Sequence, residues 1–78
     1  MYLVICYSIH EQEVSSVDVF DNIDKARDFM CTDAHNTFAD EKAYLGPDDS
    51  LTIYNYEDKF VVNSCDGTRI WTWDVVLK

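Results

Sequence analysis

The chain has 78 residues, 47% hydrophobic and 14% aromatic, a length that holds one hydrophobic core and an apolar fraction that excludes a disordered chain. Residues 1–78 are therefore read as a single domain, with a stability of only ~3–5 kcal/mol at this size. Fifteen Asp and Glu against six Lys and Arg leave a net charge of −9, which excludes direct binding to DNA, RNA or anionic membranes, whose charge has the same sign.

Residues 2–9 are apolar on both alternating faces, with Leu3, Ile5, Tyr7 and Ile9 on one and Tyr2, Val4 and Cys6 on the other. That pattern predicts a strand buried on both sides near the middle of a sheet. His10 to Glu13 reverses the chain, and Val14 to Phe20 is expected as a second, shorter strand. Asn22 is a good helix N-cap, and Asp24 falls in the first turn, where the helix dipole favours negative charge. Ile23, Ala26, Met30, Ala34 and Phe38 recur at steps of three and four, with Phe29 beside them. This is one apolar helix stripe facing a sheet. Continuing the period would bury Glu41, so the helix is expected to end near residue 40, before Gly46-Pro47.

The last third reads as β structure. Leu51 to Tyr56 alternates, Glu57-Asp58 turns the chain, and Lys59 to Asn63 returns. Asp66-Gly67 is the strongest hairpin signal, because both residues tolerate the positive φ of a type I′ turn. Arg69 to Leu77 closes the fold, with Trp71, Trp73, Val75 and Leu77 on one face. Turning that face to the helix leaves Asp74 on the other; the opposite choice would bury Asp74 at a large desolvation cost. The expected fold is α+β: one antiparallel four- to five-stranded sheet packed on a single helix, in the order β(β)αβββ.

The chemistry-bearing residues are few. Cys6, Cys31 and Cys65 are an odd number without CxxC spacing, so no complete disulfide framework is available and a reducing, cytoplasmic compartment is expected. Cys31 and His35 are four residues apart on the helix. They are the only local pair suited to thiol chemistry, and they lack a third ligand for a metal. Gly46 and Gly67 are the only glycines, so no phosphate-cradling loop exists. No enzyme activity, metal or cofactor is expected, and a thiol-dependent enzyme or sensor using Cys31 is the remote alternative.

The carboxylates are the distinctive feature. Asp24 and Asp28 are four apart on the helix, while Asp48, Asp49, Glu57, Asp58 and Asp66 fall in predicted turns. Turn chemistry explains any one of them. As a set they are spread along the domain, and a distributed acidic surface attracts a basic protein surface, including one that normally holds nucleic acid. These seven are the candidate partner-binding residues. A self-associating structural or assembly module is the alternative, with dimerisation through an open edge strand at Val14–Phe20.

The single domain, the −9 charge and the strand–helix–hairpin order closing at Trp71 to Leu77 resemble the small acidic anti-CRISPR proteins of bacteriophages; the entry Val19-Phe20-Asp21-Asn22-Ile23 leading into Ala26 and Phe29 is common to many small α+β proteins. The resemblance is one of general character, with no motif match, since that family shares no common motif. It implies an inhibitor that binds a CRISPR effector and blocks target DNA, guide loading or nuclease activation; the carboxylates distributed over the domain add the expectation of a nucleic-acid mimic.

Overall fold

A computed structural model describes residues 1–78. Strand β1 (Tyr2–Ser8) and strand β2 (Glu13–Phe20) precede helix α1 (Ile23–Tyr44), and strands β3 (Leu51–Tyr56), β4 (Lys59–Ser64) and β5 (Arg69–Leu77) follow it. All pairings are antiparallel, and the five strands lie in the order β2-β1-β5-β4-β3. The α+β architecture and the order β(β)αβββ are those read from the sequence. The last strand inserts between the first and the fourth, so β1 and β5 lie inside the sheet while β2 and β3 form its edges.

Helix α1 starts where its cap dictates. The Asn22 side-chain oxygen accepts from the backbone N–H of Asp24 at 2.7 Å and of Lys25 at 3.3 Å, satisfying two of the free donors of the first turn. Ala26, Met30 and Ala34 are fully buried against Val4, Cys6, Phe60, Val62 and Trp73. The Trp73 indole N–H donates to the Asp33 carboxylate at 2.9 Å, so the largest core side chain also has its polar edge satisfied. Trp71 and Val75 pack around this core, whereas Leu77 runs past it and is 69% exposed. Asp74 faces away from the helix and pairs with Lys59 at 3.4 Å.

Three expectations need correction. The helix does not stop near residue 40: it runs to Tyr44, and Glu41 is buried at 5% exposure. Arg69 of β5 reaches Glu41 at 3.4 Å and supplies the counter-charge that makes the buried position tolerable. Strand β2 has eight residues against seven in β1, so it is not the shorter of the two. Nor is β1 buried on both faces. Val4, Cys6 and Ser8 are buried under the helix, but Leu3, Ile5 and Tyr7 lie on the other face and are only partly covered. One helix covers one face of a sheet, and nothing in the fold covers the second.

The β4–β5 connection keeps the expected type I′ turn in a slightly longer loop. Asp66 and Gly67 take φ of 54° and 91°, and the Thr68 N–H donates to the Cys65 carbonyl at 3.1 Å. Cys65 is itself left-handed at φ 55°, so strand pairing ends one step earlier, at Ser64 and Arg69.

Candidate interaction surfaces

The seven candidate carboxylates are all exposed, and the fold divides them between two ends. At one end, the start of α1 brings Asp24 and Asp28 to the side of the β3–β4 turn that holds Glu57 and Asp58. Arg27 ties the two elements together: its Nε donates to Asp58 at 2.8 Å, and its guanidinium lies 3.9 Å from Glu57. That hydrogen bond, and then the fields of Asp58, Glu57 and Asp24, make Arg27 hold its proton more tightly than usual. Asp21 adds a further carboxylate, paired with Lys25 at 3.5 Å.

At the other end, the loop after α1 and the β4–β5 turn carry Asp48, Asp49 and Asp66. Asp49 accepts from the Gly46 N–H at 2.8 Å, and Asp66 accepts from the Ser50 hydroxyl at 2.7 Å while its own N–H donates back to that hydroxyl. These bonds fix the two loops yet leave the carboxylates solvated and without a cation. Of the seven, only Glu57 and Asp58 form an ion pair; Asp24, Asp28, Asp48, Asp49 and Asp66 form none. The two ends are separated by the six residues of β4, or roughly 20 Å of strand. A shallow groove of about 470 Å³, lined by Phe38, Lys42, Leu45, Pro47, Asp49 and Leu51 among others, opens beside the second end.

Cys31 and His35 lie side by side on α1, as their spacing predicts. His35 Nδ1 lies 2.8 Å from the Cys31 carbonyl and 3.6 Å from Cys31 Sγ. The same ring nitrogen is within reach of both the backbone carbonyl and the sulfur, and the imidazole rests edge-on against Phe60 at 5.8 Å between centroids. No third metal-binding side chain joins Cys31 and His35. Burial pushes the Cys6 thiol from 9.0 up to about 11, with the negative charge of Asp33 acting in the same direction and a hydrogen bond with Ser15 acting against it.

A second polar group escaped sequence reasoning. His10 Nδ1 lies 3.0 Å from the Ile70 N–H and 3.2 Å from the Ile70 carbonyl. The fully buried Ser8 hydroxyl donates to Glu11 at 3.0 Å, and His10 lies edge-on to Trp71 at 4.8 Å. Ser8, His10 and Glu11 thus seal the top of the β1–β2 hairpin onto β5. Their spacing in sequence carried no sign of this, because Ile70 and Trp71 are sixty residues away.

The larger omission is a surface. On the face away from α1, β1 presents Leu3, Ile5 and Tyr7; β2 presents Val14, Val17 and Val19; and β5 presents Ile70 and Val76. Val61, Tyr54 and Tyr56 extend the same face across β4 and β3. Val14, Val17, Val19 and Tyr56 are each more than half exposed. The signal that could have found this face is the helix count, since one amphipathic helix cannot cover both sides of five strands.

No helix of the molecule is long and apolar enough to cross a membrane. No family model, curated protein or solved structure matches the chain.

Proposed function

We propose that the protein is a non-enzymatic inhibitor that occupies a basic, nucleic-acid-binding surface of a partner protein, a CRISPR effector being the partner class the general resemblance suggests. The observation that carries this reading is the outward display of Asp24, Asp28, Glu57 and Asp58 at one end and of Asp48, Asp49 and Asp66 at the other, with Arg27 the one basic residue that contacts any of them. A surplus of −9 over a longest dimension of 41 Å is one net charge per about 4.6 Å. Duplex DNA carries one per about 1.7 Å of its axis, and each of its strands one per about 3.4 Å. The domain therefore imitates the charge density of one strand better than that of a duplex. The occupied site is accordingly a groove that grips one strand or one edge of a helix, with Lys and Arg of the partner pairing with the two acidic ends.

The test is competition. Purified CRISPR effectors are assayed for target-DNA binding with and without the domain at two ionic strengths. The expected result is that DNA binding by at least one effector is lost in competition with the domain, and that added salt weakens the effector–domain complex. Indifference of every effector rejects this partner class. A complex whose affinity ignores salt rejects the mimic mechanism.

A further inference from the structure

The uncovered sheet face is neutral, unlike the rest of the molecule. Among the strand residues that point toward it, the only charged ones are Lys59 and Asp74, which pair with each other at 3.4 Å. All other carboxylates lie on the helix, in turns or on the helix side of the sheet. A basic partner thus gains no attraction on this face. A copy of the same chain meets a complementary surface, because a two-fold axis passing near the Lys59–Asp74 pair sets each lysine against the partner copy's aspartate.

We propose that the protein forms a homodimer through this face, sheet against sheet, with both helices outside. Five strands at about 4.8 Å spacing and seven residues at about 3.3 Å rise give a face of roughly 24 by 23 Å. Two such faces bury roughly 1,100 Å² in total, above the ~1,000 Å² a specific interface needs. The side chains suit the packing: β-branched Ile5, Val17, Val61 and Val76 can interdigitate in a layer ~10 Å thick, as in aligned sheet sandwiches. The chain also has reason to use it. Only eleven of its residues are buried, eight of them hydrophobic, and a second layer between two copies supplies the core that a single helix does not. Both acidic ends remain on the outside of such a dimer, so it neither requires nor obstructs the inhibitor reading.

Sedimentation analysis of the full chain at micromolar concentration tests this directly. The expected result is a species of twice the 9.1 kDa chain mass, tightening as salt rises from about 0.05 to about 0.5 M, because screening relieves the repulsion of two like-charged copies. Asp74→Lys places like charges together across the axis and should weaken the dimer about tenfold or more. The exchange Lys59→Asp with Asp74→Lys preserves the pairing and should restore the dimer. Far-UV circular dichroism confirms that each variant is folded. A monomer throughout that salt range overturns the proposal. So does a dimer that persists with Asp74→Lys folded, which would place the contact on the β2 or β3 edge instead.

Discussion

Glu41 and Arg69 show how a single contact can override a local rule. The helical period assigns Glu41 to the buried stripe, and a carboxylate alone there would end the helix; Arg69, twenty-eight positions on, changes the outcome. Arg69 is itself half exposed, so the pair is partly solvated, and replacing it with Met should cost about 2 kcal/mol by leaving a buried charge uncompensated. Urea unfolding of Arg69→Met against the double variant Glu41→Met with Arg69→Met checks this. The double variant should recover most of the loss, since an apolar pair suits the same site. Cys6 provides a second test at this scale. Its folded thiol keeps its proton up to about pH 11, whereas the unfolded thiol loses it near 9.0. Stability is therefore fully present below pH ~9 and falls as pH rises from ~9 toward ~11, because only the unfolded chain gives up the proton readily in that window. A pH series of urea midpoints should show this decline and should show less of it in Cys6→Ala. In the native protein at pH 8, a thiol reagent should modify Cys31 and Cys65 while Cys6 reacts only on unfolding.

The elements were legible in the sequence wherever the signal was local. Asn22 with the stripe Ile23, Ala26, Met30, Ala34 and Phe38 marked the helix start and its buried side, and Asp66-Gly67 marked the last hairpin. Removing the cap with Asn22→Ala frees two helix donors and should lower stability by about 1 kcal/mol, read as a lower urea midpoint at unchanged slope. What was not legible depended on residues distant in sequence. The helix end required Arg69 and the His10 contact required Ile70, while the open face was implicit in one helix set against five strands. An apolar alternation on both sides of β1 reads the same whether the second face is covered by the chain itself or by another molecule. The candidate carboxylates were legible as exposed turn and helix positions. The strand order expected from the sequence also put the Glu57-Asp58 and Asp66-Gly67 turns at opposite ends of the sheet; the Arg27 contact that ties Asp58 to the helix came only with the fold.

At the scale of the whole molecule, charge and apolar surface are segregated: acidic groups occupy the helix, the turns and the helix side of the sheet, and the uncovered sheet face is neutral. The segregation suggests two interactions with opposite responses to salt, one with a cationic groove that weakens as ions are added and one between copies that strengthens. Neutralising the unpaired carboxylates separates them. Asp24→Asn, Asp28→Asn and Asp48→Asn together remove three charges that form no ion pair within the chain. They should diminish partner binding by an order of magnitude or so while leaving the fold intact, as expected of exposed groups that act through their field. The most direct measurement is capture from a bacterial lysate on immobilised wild-type and triple-variant domain, eluted by rising salt and followed by displacement of DNA from the captured protein. The inhibitor account predicts a basic, nucleic-acid-binding protein that leaves at moderate salt, is held more weakly by the variant and releases its DNA when the wild-type domain is added. A captured protein held equally well by both baits and still bound to its DNA would contradict it.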